Sequence, residues 1–311
     1  MKRVRLLWLV FLLPIAMAHA QDTQWETLYA EVMKLYGKGD YGRAVIVARK
    51  ALSVAEANVG PDHPLVATSL NNLAHLYIMQ GQYTQAEPLH KRALAIRENA
   101  LGPDHPHVAA SLNNLADLYR AQGQYAQAEP LYKRAMAVWE KALGPDHPYV
   151  ATSLNNLAAL YNMQGQYAQA EPLDKRALAI REKALGPDHP DMATSLNNLA
   201  ALYDRQGQYA QAEPLYTRAL AIKEKALGPD HPDVATSQSN LALLYRTQGQ
   251  YAQAEPLYTR ALVIKEKALG PEHPDLATIL ENMAVLYGKT GEKAKQQACE
   301  ARVRKIRAQA Q

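Results

Sequence analysis

The sequence predicts an all-α protein, an α-solenoid of about seven antiparallel helical hairpins, and three observations predict it. The word GPDHP begins at Gly60, Gly102, Gly144, Gly186 and Gly228, and GPEHP begins at Gly270, so every step is 42 residues with no insertion or deletion. A fixed period of this size marks stacked supersecondary units. Within one unit the apolar residues form two stripes of helical spacing, first Leu154, Leu157, Ala158 and Tyr161, then Tyr167, Ala170, Leu173, Ala177 and Ile180. Between the stripes stands Gln164-Gly165-Gln166, where glycine takes the left-handed backbone that ends a helix. Each unit is therefore a hairpin whose apolar faces find shelter only on neighbouring hairpins.

Taken in order, the chain begins with Lys2, Arg3 and Arg5, then an apolar run over 6–16, then Ala18-His19-Ala20. This pattern spells a secretory signal peptide, residues 1–20, cleaved after Ala20. The run is short for a bilayer span, so an uncleaved N-terminal anchor is the minority alternative. The sole cysteine is Cys299, so an exported chain is held by packing without an internal disulfide. With 48% apolar and 21% charged residues the composition is that of an ordinary soluble chain, and the 16 Gly and 18 Pro are accounted for by repeated turns. The formal charge of +4 falls to +1 without Lys2, Arg3 and Arg5, which gives no electrostatic reason to expect nucleic acid or an anionic membrane as partner.

Residues 22–59 keep Gly39, Tyr41, Ala44 and Ala51 but carry Leu28, Glu31 and Val32 in place of the LNNLA words, and are read as a degenerate N-terminal capping repeat. Five close copies fill 60–269. The last unit, 270–311, keeps Leu280, Asn282, Met283, Ala284, Tyr287 and Gly291 and then turns polar, as suits a helix that faces water at the end of an array. At each junction the expected order is a helix ended by Leu143-Gly144, Asp146 as N-cap, and His147-Pro148 in the first turn of the next helix. The prolines Pro88, Pro130, Pro172, Pro214 and Pro256 are placed at about the fourth residue of the second helix, where a missing donor costs little.

The residues Leu112, Leu115-Ala116, Tyr119, Gly123-x-Tyr125, Ala128, Tyr132 and Ala135 follow a pattern that resembles the tetratricopeptide repeat. The 42-residue period and the words DHPDMATSLNNLA, 188–200, are similar to the kinesin light chain subgroup, of bacterial exported type here given the leader. The resemblance spans almost everything after residue 24.

A catalytic or metal function finds no residues to carry it. His63, His105, His147, His189, His231 and His273 come one per unit; packed helices lie about 8 to 10 Å apart, whereas zinc ligands sit about 2 Å from the metal. No HExxH, GxSxG, Walker or GxGxxG word occurs. No catalytic residue, metal ligand or cofactor is assigned.

What remains is recognition. If Leu154, Leu157, Ala158 and Tyr161 face inward, then Thr152, Asn155, Asn156, Ala159 and Met163 lie on the opposite side, expected to be a concave groove. Asparagines recur there as Asn71-Asn72, Asn113-Asn114, Asn155-Asn156 and Asn197-Asn198, then as Asn240 and Asn282. Asn in a helix interior costs about half a kcal/mol or more relative to Ala, so the repetition implies compensating hydrogen bonds. Two arrangements supply them: a ladder of amides that fixes the stacking register, or amides that clamp the backbone of a bound peptide. The resemblance implies the second for Asn72, Asn114, Asn156, Asn198, Asn240 and Asn282. Specificity then falls to His75, Asp117, Ala159, Ala201, Leu243 and Val285, and to Met79, Ala121, Met163, Arg205, Thr247 and Lys289. Arg205 and Lys289 are candidates to receive an acidic group, while Thr68, Ala110, Thr152, Thr194, Thr236 and Thr278 stand where clamp-type relatives have lysine. Asp174 replaces the Tyr of sister units and is placed at an interface edge. The reading is a right-handed α-solenoid superhelix, periplasmic or secreted, that holds a protein or peptide partner without catalysis. The competing reading is a self-associating spacer in an envelope assembly.

Overall fold

The computed structural model describes residues 22–309; the leader read from the sequence, 1–20, lies outside them. Fourteen helices follow one another in consecutive pairs, and no strand occurs among the described residues. The chain divides into two compact units, 1–160 and 161–311, whose described parts are taken in turn.

The first unit holds α1 (Asp22–Gly37), α2 (Tyr41–Val59), α3 (Pro64–Met79), α4 (Tyr83–Leu101), α5 (Pro106–Ala121), α6 (Tyr125–Leu143) and all but the last residues of α7 (Pro148–Met163). The pairs α1/α2, α3/α4 and α5/α6 pack as hairpins; α2 lies on α3, α4 on α5, and α3 on α5. The first helix of a hairpin buries Leu70, Leu73, Ala74 and Tyr77, and the second supplies Ala86, Ala93 and Ile96. One core cluster joins Ala55, Val66, Ala67, Leu70, Ala93 and Ile96 across three helices, with Trp25 and Leu52 packed against it. Each buried Leu or Ile contributes about 1.5 to 3 kcal/mol, and every such contact is made with an adjoining helix.

The second unit holds α8 (Tyr167–Leu185), α9 (Pro190–Arg205), α10 (Tyr209–Leu227), α11 (Pro232–Thr247), α12 (Tyr251–Leu269), α13 (Leu276–Thr290) and α14 (Lys293–Gln309). It repeats the scheme, with hairpins α9/α10, α11/α12 and α13/α14 and with α9 on α11 and α11 on α13. In α14 only one stripe, Cys299, Val303 and Ile306, is buried.

The junction differs from expectation by one residue. The N-cap is the histidine: His63, His105, His189 and His231 have extended backbone, and the ring Nδ1 of each accepts from the N–H two residues on at 3.1 Å. His147 makes the same bond with Tyr149 at 3.2 Å. Proline at N1 needs no N–H partner, so the cap serves N2, and Asp146 stands one residue too early to reach it. The glycine before it is required: Gly144 sits at φ 91, ψ 155, a region essentially closed to residues with a Cβ. The prolines also lie deeper than expected. Pro88 is inside α4, five residues beyond Tyr83, and Pro88 and Thr84 are both exposed. The carbonyl of Thr84 that loses its bond therefore faces water, which limits the cost.

Beyond the apolar core, bonds from hairpin to hairpin within each unit set the register. Tyr119 donates to Glu87 at 3.0 Å, Tyr203 to Glu171 at 3.1 Å, and Tyr245 to Glu213 and Tyr287 to Glu255 at 3.0 Å. The Glu87-Lys91, Glu129-Lys133 and Glu171-Lys175 pairs close at 2.7 Å; exposed, they add only a few tenths of a kcal/mol each.

Candidate functional site

The asparagine pairs lie on the first helices, and the 100° between successive residues of a helix separates the members of each pair. The first member turns into the stack. Asn71, Asn113 and Asn155 are only 7%, 4% and 3% exposed. Asn71 Nδ2 donates to Ser111 Oγ at 3.5 Å, and its Oδ1 lies 2.7 Å from His90 Nδ1. Half-buried Asn197 donates in the same way to Ser237 at 3.5 Å. Each of these bonds runs 40 residues forward to a serine of the next first helix, so the ladder is Asn-to-Ser and not Asn-to-Asn.

The second member stays out of that network. Asn72, Asn114 and Asn156 in the first unit, and Asn198, Asn240 and Asn282 in the second, make no side-chain hydrogen bond or ionic contact among the described residues. Five of the six are half-buried, and Asn72 is 8% exposed. Because α3 touches α5, α9 touches α11 and α11 touches α13, Asn72 and Asn114 stand on adjoining first helices of the first unit and Asn198, Asn240 and Asn282 on adjoining first helices of the second, such helices lying about 8 to 10 Å apart.

The positions beside these amides are less uniform than the sequence implied. His75 and Asp117 are buried and do not line an open surface. His75 sits 3.3 Å from Tyr36 Oη, and burial pushes its pKa down to about 4. Asp117 Oδ1 accepts from Tyr132 at 2.6 Å and from Arg120 at 2.8 Å, and Arg120 also donates to Tyr132 at 3.0 Å. Burial, then the Asp117 charge, raises the Tyr132 phenol well above its usual value. Asp117, expected among the groove positions, is thus part of a sealed structural triad.

In the second unit, Ala201 and Leu243 are half-buried and Val285 is 47% exposed. Arg205, Thr247 and Lys289 are exposed, with Arg205 Nη1 reaching Asn162 O at 3.5 Å. A notch of about 310 Å³ at the last hairpin is lined by Val285, Gly288, Lys289, Gln296 and Glu300; Gly288 stands where α11 has Arg246, which opens the space.

A row of buried cations was missed from the sequence. Arg97, Arg181, Lys223 and Lys265 are all buried at one position of the second helix, where α6 has Trp139. The sign was present: this position continues the stripe of Ala93 and Ile96. Arg181 donates to Ser195 at 2.6 Å and lies in the field of Asp191 and Asp174. Asp174 is only 2% exposed and is therefore an interior residue, not one at an interface edge. No group of three or more His, Cys, Asp or Glu able to hold a metal occurs among the described residues.

With this geometry in hand, the comparisons decide the family. A tetratricopeptide repeat model matches 151–225, 205–267 and 233–307, together half of the chain; a second matches 35–65 and 66–107, and a Nephrocystin-3 TPR domain model matches 90–184. The chain belongs to the tetratricopeptide repeat family. Two crystal structures of nearly identical TPR-like repeats of kinesin light chain type from Podosopora anserina, a point variant and its parent, are each 34% identical to this repeat protein. Each covers 66% of this chain and 97% of its own, with TM-scores of 0.54 and 0.52. BtubC (BKLC) from P. vanneervenii, 24% identical over 81% of this chain and 94% of its own at a TM-score of 0.57, shares the fold. So does the apo form of RapI, 15% identical over 92% and 98% at 0.64. No protein of curated function matches. Tetratricopeptide repeat folds are typically protein-interaction scaffolds and generally not catalysts, and no helix among the described residues is long and apolar enough to cross a membrane.

Proposed function

We propose that this tetratricopeptide repeat protein is a non-catalytic scaffold, and that the second-position asparagines of each unit grip the backbone of a peptide or partner segment. One observation carries the reading: Asn72, Asn114, Asn156, Asn198, Asn240 and Asn282 use a poor helix former and give its amide nothing to bond among the described residues. An amide offers both a donor and acceptors, which suits it to the alternating N–H and C=O groups of an extended chain. At about 3.3 Å per residue, such a chain presents about every third residue to successive amides. Alongside, Ala201, Leu243 and Val285 supply apolar contact, and Arg205 and Lys289 favour acidic groups on the partner. We assign the protein to the periplasm or the exterior from its N-terminal 20 residues; mass spectrometry of the natively produced chain checks this by finding Gln21 as its first residue.

The experiment is partner capture by crosslinking from envelope extract, comparing the intact chain with Asn114→Ala/Asn156→Ala. The double variant captures less while its thermal unfolding is unchanged or slightly raised. Full capture by a folded double variant refutes the amide clamp.

A further inference from the structure

The interface between α3, α4 and α5 contains a buried network without a carboxylate. Arg97, on α4, donates through Nη1 to Ser111 Oγ at 3.0 Å and His107 O at 3.2 Å, and through Nη2 to Thr68 Oγ1 at 3.2 Å. Ser111 also accepts from Asn71, whose Oδ1 faces His90 Nδ1. Against an amide oxygen the ring nitrogen must donate, so neutral His90 carries its proton on Nδ1. A second proton would go to Nε2, which has no acceptor among the described residues.

The charges around His90 make that second proton costly. On its own helix stands Arg97; on α3 stands His75, itself against Tyr36 of α1. On α5, His107 meets the network through its carbonyl, while Asp117 and Arg120 are closed on each other and on Tyr132. Glu87, the acidic residue of α4 nearest in sequence, is taken by Lys91 and Tyr119. The equivalent site in the second unit is built the other way: Asp174 replaces His90, and its charge favours that of buried Arg181. Two hairpins with the same buried arginine thus differ in whether an acid or a base accompanies it.

We propose that the α3–α5 interface is an acid-labile joint, in which protonation of His90 beside Arg97 opens this packing while the hairpins of the second unit remain closed. Burial holds the pKa of His90 down to about 3, and those of His75 and His107 down to about 4, against an ordinary 6.5. These histidines are neutral when folded and take up protons once exposed. The interface is therefore fully stable above about pH 6.5 and loses stability as the pH falls from there toward the folded values. His90 alone raises the opening equilibrium about tenfold per pH unit in that window, and all three together about a thousandfold. Opening would separate Asn72 on α3 from Asn114 on α5, so the joint bears on partner holding without depending on it.

The test is amide hydrogen exchange of the full chain from pH 7 to 4.5, corrected for intrinsic rates, with α9–α11 as internal control. The joint predicts steeply rising opening in α3–α5 and a flat control. His90→Asp, which copies the Asp174 arrangement, and His90→Tyr, which copies Tyr132, each reduce the slope by about tenfold per pH unit. An unchanged slope in either folded variant, no rise in α3–α5, or an equal rise in α9–α11 overturns the proposal.

Discussion

The two asparagines of one pair are predicted to respond to alanine with opposite signs. Asn71→Ala deletes the 2.7 Å contact with His90 and the 3.5 Å bond to Ser111. It leaves the Nδ1–H of a fully buried ring without a partner, which costs about 1 to 3 kcal/mol. Alanine returns about 0.6 kcal/mol through its better helix propensity, so the net loss is about 0.5 to 2.5 kcal/mol. Asn114→Ala breaks no side-chain bond among the described residues, and the propensity term stands alone, a gain of about 0.6 kcal/mol. Urea unfolding followed by far-UV circular dichroism measures both: the midpoint falls for Asn71→Ala and rises slightly for Asn114→Ala. Equal destabilisation by the two would refute the division into stitching and free amides, as would a midpoint that rises for Asn71→Ala.

Further substitutions probe the scaffold. Asp117→Ala leaves Arg120 and Tyr132 buried without their acceptor and should cost about 3 to 5 kcal/mol; adding Arg120→Ala should cost less than the sum of the two single changes, measured by the same unfolding curves. Gly144→Ala forces a Cβ into the φ 91, ψ 155 backbone and should cost about 1 to 3 kcal/mol, whereas Ala221→Gly on the exposed face of α10 should cost about 1 kcal/mol or less.

Much of the fold was legible because one period and two stripes recur without error. Leu154 to Tyr161 and Tyr167 to Ile180 could face only other helices, and each stripe lies within a single helix, α7 or α8. The helix start was misjudged because Asp leads the intrinsic N-cap ranking, yet Pro148 fixes N1 and thereby gives the cap to His147. Proline depth was misjudged for a related reason: propensity speaks of an isolated helix, and Thr84 in α4 has water available to it.

The site was legible in position but not in orientation. Adjacent asparagines point about 100° apart, and only the neighbouring hairpin decides which amide meets a serine such as Ser111 or Ser237. The same holds for Asp117 and Asp174. Their charges read as surface, but Arg120 on the same helix and Tyr132 on α6 close on the first, and Arg181 on the same helix lies in the field of the second. Arg97 and Arg181 broke the apolar stripe in plain view, and their burial follows from the hydroxyls of Ser111 and Ser195 waiting one hairpin on.

In the proposed function, partners meet the protein on the face of the first helices beside the free amides. A photo-crosslinking residue placed at Ala201, beside Asn198 on α9, tests it against one placed at Ala221 on the exposed face of α10. The same partner is expected to crosslink from Ala201 and not from Ala221, and Asn198→Ala/Asn240→Ala to remove the adduct. Crosslinking from Ala221 alone, or an adduct from Ala201 that survives loss of both amides, would contradict it.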